Sequence, residues 1–402
     1  MREVVVCEPL RTPIGRFGGM FAGVAPVDLA AAVIRALVAR TAIDTSRIDD
    51  ILFGQGYPSA EAAPIGRVAA LDAGLPVTVG GSQVDRRCGS GLQAILDGCM
   101  QIQTGVSDVV IAGGADSMSQ APLYAVNTRW GIRGTDGFPM HDALGRARQT
   151  AGGRSYPVPG GMIETAENLR REFGISRQAQ DELALRSQAR AADAVASGTF
   201  DQEIVPVSVW VKGVEKVISA DETPRQTAIE DLERLKPILL KTDAEATVTA
   251  GNASTQNDAA AACILTTPEI ATELGLTPIV KLRSWARAGV EPSRMGIGPV
   301  PATHRALDRA GLSLSDMSLI ELNEAFAAQV LAVAHEWGLT DNDWERTNVL
   351  GSGISLGHPV GATGARILAT GSRELARRGG DFLLETMCIG GGQGLAAVWE
   401  RV

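Results

Sequence analysis

The sequence has 402 residues, more than one ordinary core accommodates, so two or three domains are expected. Its 45% hydrophobic and 21% charged content is ordinary for a soluble globular enzyme. The net charge of −9, with no basic run and no interleaved aromatics, argues against nucleic-acid binding and leaves any anionic substrate to a local cluster of Arg, Lys or helix N-termini.

In chain order, "EVVVCEPL" (3–10) enters a buried strand at once. No basic segment leads into a long apolar run, so no signal peptide is expected. No stretch reaches the roughly 18 apolar residues of a membrane span. "PVDLAAAVIRALVART" (26–41) reads as a helix and "IDDILFGQG" (48–56) as a turn into a strand. Residues 78–105 read as a strand, a tight turn, then a helix with Leu92, Ile95, Leu96 and Met100 at helical spacing. "SDVVIAGGADSMS" (107–119) is another buried strand. From 120 to 249 the character changes to glycine-rich loops and two charge-rich helices, at 175–198 and 227–240, and this stretch is read as an inserted loop domain. Strand–helix alternation then resumes to the end, which predicts an α/β layered architecture.

The five cysteines, Cys7, Cys88, Cys99, Cys263 and Cys388, are odd in number and lack C-x-x-C or metal-ligand spacing. A disulfide framework is not expected, and a reducing, cytoplasmic compartment is.

Two stretches match in plan. "QVDRRCGSGLQAILDG" precedes "SDVVIAGGADS", and "GISLGHPVGATGARILATG" precedes "DFLLETMCIGGGQG". Each gives a small-residue turn, a helix, then a strand rich in glycine at or near its end. This reads as one α/β unit duplicated, with Cys88 and His358 at equivalent helix starts. Pro359 suits a first helical position, so His358 is expected immediately before the helix. Helix N-terminal N–H groups favour a thiolate, so Cys88 is expected to have a lowered pKa and to act as a nucleophile. The glycines after Cys388 leave backbone N–H groups free to approach an oxyanion. Asn323 and Glu324 follow an apolar strand, where polar residues suit a site, although helix capping by Asn323 explains them equally well. "GSGISLG" lacks the G-x-G-x-x-G spacing of a dinucleotide loop, and no G-x-x-x-x-G-K-[ST] occurs.

Together "DRRCGSGLQAI", "TAGNASTQNDAAAA", "MGIGPVPA", "LNEAFAAQ", "GISLGHPVGATGARI" and "CIGGGQG" resemble the thiolases, in the family's order and across nearly the whole chain. The resemblance implies two βαβαβαββ halves in a five-layer α-β-α-β-α body. The first half would comprise 1–119, completed by 250–275. A loop domain, 120–249, would cover the coenzyme A site, and 276–402 would form the second half. It implies acyl-CoA and CoA as substrates, no metal or bound cofactor, and a homodimer or homotetramer. Cys88 would be the acylated nucleophile, His358 its base and Cys388 the second acid/base. Asn323 would hold a water that, with His358, binds a thioester oxygen. The N–H groups of Cys88 and Gly390 would form the other oxyanion hole. Ser254 would contact pantetheine and Arg225 the adenine end, with Ala250 and Ala325 as further contacts. Met162, Met295 and Phe326 would line the acyl channel.

The sequence also departs from the family pattern. Gly161-Met162-Ile163 stands where many short-chain members have His-Met-Gly, Leu350 replaces a usual Asn and Ala259 a common Gly. The segment "ARQTAGGRSYPVPGG" (147–161) is unlike the usual short-chain loop. These departures bear on acyl-chain specificity and lean towards longer or broader substrates. The rival readings are a decarboxylating condensing enzyme, a Cys/His/Asn thioester hydrolase and a non-catalytic acyl-CoA or lipid carrier. All three reactive residues, Cys88, His358 and Cys388, are present, which speaks against the carrier.

Overall fold

The unbroken apolar runs form one large mixed sheet, seen in a computed structural model that describes residues 1–131 and 137–402. Its main strands are β1 Val5–Arg11, β2 Asp50–Gly54, β3 Ser82–Val84, β4 Val110–Ser117, β5 Asn257–Thr266, β6 Pro278–Gly289, β7 Leu319–Leu322, β8 Phe382–Ile389 and β9 Gln393–Arg401. They lie in the order β7-β8-β9-β6-β1-β5-β4-β2-β3. The first five strands of the chain meet the last four where β1 pairs antiparallel with β6, Val6 opposite Val280.

Strand parity explains the layers. On β5, Ala260, Ala262 and Ile264 face a core shared with Leu29, Val33, Ile34 and Leu37 of helix α1 (Pro26–Thr41). Ala261, Cys263 and Leu265 face the opposite way. There they join helix α2 (Ser90–Thr104) and the helix Thr363–Arg378 near the C-terminus. On β9, Leu395, Ala397 and Trp399 face this same central layer, while Ala396 and Val398 pack with Ala302, Ala306 and Leu307 of the helix Pro299–Ala310. The five layers α-β-α-β-α follow, as expected. A strand covered on both faces reads as a continuous hydrophobic run, which is why these strands are legible.

The two central helices touch backbone to backbone. A Cβ on Gly91 of α2 would lie 2.7 Å from the Gly361 carbonyl oxygen. One on Gly364 would enter the Leu92 backbone, and one on Gly114 of β4 would strike the Gly361 carbonyl. These glycines are spacers that bring the Cys88 turn and the His358 turn together.

Between 120 and 249, helix α3 (Gly161–Phe173) and helix α4 (Arg177–Ala196) precede a hairpin, Val207–Val211 with Val214–Ile218. The helix α4 matches the expectation for 175–198. The helix expected over 227–240 is only Ile229–Glu233. Arg177 Nη2 donates to the carbonyls of Leu232 (2.6 Å) and Leu235 (3.1 Å), and Pro237 follows without an N–H to continue the ladder. The helix α3 was not foreseen, because its glycine-rich start hides the helical pattern. The segment is anchored to β1 by buried Arg11, which donates to Glu203 at 2.6 Å and to both oxygens of Asp221 at 2.7 and 2.9 Å.

Candidate active site

Cys88 occupies a tight turn, Arg87–Gly89, just ahead of α2. The turn is held under strain. Arg87 adopts a left-handed φ of 49°, its N–H donates to Asp85 Oδ1 at 2.9 Å, and its guanidinium donates to the Gly56 carbonyl at 2.9 Å. Ser90 Oγ accepts from Arg86 N–H at 2.8 Å and donates to the Arg87 carbonyl at 2.7 Å. A Cβ on Gly89 would meet Ile389 at 2.5 Å, so the turn closes directly on β8.

Burial pushes the Cys88 thiol above its ordinary value, against the pull of the N–H groups of Gly390 and Cys88 and the charges of Arg87 and Arg148. The expected lowering is therefore overturned: loss of hydration outweighs the N–H groups at the turn. A thiol in this state needs a base to become a nucleophile.

His358 lies five residues ahead of the helix, which begins at Thr363 and not at Pro359. The reason is local. Thr363 Oγ1 donates to the Pro359 carbonyl at 2.9 Å, closing the turn Val360–Ala362 before regular helix starts. Gly357 precedes His358 at φ 99°, and a Cβ there would meet the Asn257 side chain at 2.5 Å. That Asn257 oxygen accepts from His358 N–H at 2.9 Å. The His358 Nδ1 lies 2.6 Å from Thr363 Oγ1. Because the Thr363 proton is already given to Pro359, Nδ1 is the donor in this contact, and Nε2 keeps a free lone pair. Burial, assisted by the charges of Arg366 and Arg148, lowers the His358 pKa to about 3.

A base already neutral at pH 7 should work without an ordinary histidine titration. In kcat/KM against pH, thiolysis should hold its rate as pH falls from 7.5 to 5.5, since the folded imidazole takes up its proton only far below 6.5. An acid limb centred near 6.5 would contradict this assignment.

Cys388 is buried near the end of β8, and burial followed by the charge of Cys88 raises its thiol well above the ordinary value. The glycines beyond it turn sharply, Gly391 at φ 92° and Gly392 at φ 80°. Gly390 packs on Met162, whose sulfur would lie 3.4 Å from a Cβ at that position.

Asn323 caps no helix: the next one, Ala327–Trp337, has Phe326 at its cap. Its side-chain oxygen and nitrogen are both buried without a protein partner. Glu324 is fully engaged, accepting from Ser187 at 2.5 Å, Asn348 at 3.0 Å and Ile354 N–H at 3.4 Å, and this marks it as structural.

One cavity of about 430 Å³ gathers Cys88, His358 and Cys388 with Met162, Ala250, Ser254, Met295, Ala325 and Phe326. Asn323 and Gly390 are not among its lining residues. Arg225 is exposed beside an adjoining cavity that also holds Arg16, Glu222 and Ala250. Sequence reasoning missed Tyr57, Met118, Arg148 and Val360 in the main cavity. It also missed Asp116, whose carboxylate accepts from Gly361 N–H at 2.5 Å, Gly56 N–H at 3.0 Å and Tyr57 N–H at 3.2 Å, tying the His358 turn to the Tyr57 loop. No local pattern announces these residues, because the loops, the short helix and the end of β4 that carry them meet only in the folded chain.

Comparison with known proteins agrees with this geometry. Residues 4–269 match the family model "Thiolase, N-terminal domain" and residues 276–401 match "Thiolase, C-terminal domain". The chain belongs to the thiolase family. Among thiolases, it is 45% identical to the beta-ketothiolase BktB of Cupriavidus necator, over 100% of both chains. It is likewise 45% identical to the 3-oxoadipyl-CoA/3-oxo-5,6-dehydrosuberyl-CoA thiolase of Escherichia coli, over 100% of both. The crystal structure of the Bacillus anthracis acetyl-CoA acetyltransferase superposes with a TM-score of 0.94 at 42% identity, covering 100% of this chain and 99% of that one.

Proposed function

We propose that this thiolase cleaves 3-ketoacyl-CoA with free CoA, and runs the reverse condensation, through an acyl group carried on Cys88. The observation that supports this best is the convergence of two cysteines and one neutral histidine, drawn from distant parts of the chain, on one largely apolar cavity.

The chemistry balances with these groups alone. His358 Nε2 takes the Cys88 proton, and the sulfur attacks the 3-keto carbon. The C2–C3 bond breaks, its electron pair passes to C2 as the acetyl-CoA enolate, and the Cys388 thiol protonates C2. Acetyl-CoA leaves, and the proton on His358 returns to Cys388. Incoming CoA then gives its thiol proton to His358 and attacks the acyl-Cys88 carbonyl. Cys88 leaves as thiolate and recovers that proton. The N–H groups of Cys88 and Gly390 stabilise the oxyanion at the attacked carbonyl. Asn323, with an amide unsatisfied by protein, holds a water that joins His358 at the thioester oxygen of the enolate. Ser254, Ala250 and Ala325 border pantetheine, Arg225 meets the adenine end, and Met162, Met295 and Phe326 hold the acyl chain. The segment 120–249 covers the CoA site, and 1–119 with 250–275 and 276–402 form the two halves. The enzyme works as a homodimer or homotetramer. Five unpaired cysteines suit a reducing, cytoplasmic compartment.

The test is the absorbance of a 3-ketoacyl-CoA with and without free CoA. Loss that requires CoA and yields acetyl-CoA is the expected result. Loss without CoA identifies a hydrolase, and no loss in folded, substrate-binding protein identifies a carrier.

A further inference from the structure

Arg148 is a cation in the reaction cavity that, among the described residues, meets no acid. It comes from "ARQTAGGRSYPVPGG", the segment that departs from the usual short-chain loop, and sits on the helix Ala143–Thr150. Its guanidinium is fixed by a neutral group. With the Gln256 amide turned so that its oxygen faces the guanidinium, that oxygen accepts from Arg148 Nη2 at 2.6 Å and Nη1 at 3.3 Å. Tyr57 lines the same cavity. Its stem is packed at the start of α3, where a Cβ on Gly161 would lie 3.2 Å from Arg148 Cβ. Among the described residues it forms no ion pair, unlike half-buried Arg177, Arg346 and Arg373. The cavity wall around it is otherwise mainly apolar, with Met118, Met162, Met295, Phe326 and Val360.

A held, half-buried cation facing an apolar cavity is costly unless the ligand supplies the opposite charge. We propose that Arg148 reads a carboxylate at the far end of the acyl group, so that the preferred substrates are 3-ketoacyl-CoA thioesters of short dicarboxylic acids. This rests on the thiolase reading above. Short chains follow from placement: Arg148 lines the same cavity of about 430 Å³ as Cys88, His358 and Cys388, which leaves room for only a short acyl group between the guanidinium and the reacting carbonyl. The CoA phosphates are not the anion, since they lie at the opposite end of pantetheine from the thiol. A guanidinium held by Gln256 keeps further N–H groups for a charge-assisted contact with a carboxylate.

The competing role is support of the Cys88 thiolate, and that would act on every substrate alike. The experiment compares two six-carbon 3-ketoacyl-CoA substrates, one ending in a carboxylate and one in a methyl group, with wild type, Arg148→Gln and Arg148→Lys. Wild type should favour the carboxylate substrate at least about tenfold in kcat/KM. Arg148→Gln should lose about 100-fold on that substrate, mainly through KM, and far less on the methyl substrate, so that the wild-type preference for the carboxylate disappears. Arg148→Lys should recover part of the loss. The methyl substrate reports folding in the same preparation. Equal losses on both substrates, or a wild-type preference for the methyl substrate, overturn the proposal while leaving the thiolase reading intact. Wild type that cleaves neither substrate with CoA overturns the thiolase reading, and this proposal with it.

Discussion

Cys88→Ala protein should fold, bind acyl-CoA and transfer nothing. The side chain is half-buried at the cavity, so removing one sulfur costs the fold about 1 kcal/mol or less. The chemistry loses its only attacking atom, and activity should fall by at least about 10⁴-fold. The direct measurement is acid quenching after mixing with acetyl-CoA, followed by mass mapping of peptides. Wild type should carry acetyl on the Cys88 peptide and the variant on none. Acetyl on a different residue in wild type, or persistent turnover by the variant, would sink the assignment. The raised thiol pKa adds a control: wild-type Cys88 should not label merely because it is acidic, and His358→Ala should slow labelling sharply.

The second large effect separates the two cysteines. Cys388→Ala should still accept acetyl from acetyl-CoA on Cys88 yet lose C–C bond cleavage by about 10²–10⁴-fold, the usual contribution of one positioned acid/base. Cys388 is fully buried at the end of β8, and its thiol is pushed up by burial and by Cys88. It therefore holds its proton at rest, as the acid that quenches an enolate must. Exchange of label between CoA and acetyl-CoA measures the acylation half, and thiolysis of a 3-ketoacyl-CoA measures both halves. If the variant kept full thiolysis, Cys388 would have no part in moving the proton at C2. If exchange failed together with thiolysis, Cys388 would be shaping the Cys88 turn instead.

Much of this was written locally. β4, β5 and β8 are covered on both faces, so their sequences are continuous apolar or small-residue runs that can be read without a partner. Cys88 and His358 were legible because each lies in a turn that tolerates no bulk, and glycine marks such turns. What escaped notice depends on distant groups. The helix at 229–233 ends early because Arg177 reaches its carbonyls from another element. The thiol pKa ran opposite to expectation because the N–H groups are local and the burial is not. His358 stands off its helix because Thr363 spends its hydroxyl on Pro359. Tyr57, Arg148 and Asp116 reach the site from a loop, a short helix and the end of β4, and no spacing in the sequence ties the three together.

The β9 strand has a consequence for the newly made chain. β9 pairs with β6 and β8 and lies far along the chain from Cys88. Cys88 is synthesised before both His358 and the wall that carries Cys388. A nascent chain that has not reached His358 therefore exposes Cys88 to cellular thioesters with no histidine and no oxyanion pocket beside it. Under the proposed mechanism, Cys88 becomes reactive only once the His358 turn and the β8–β9 hairpin have packed against it.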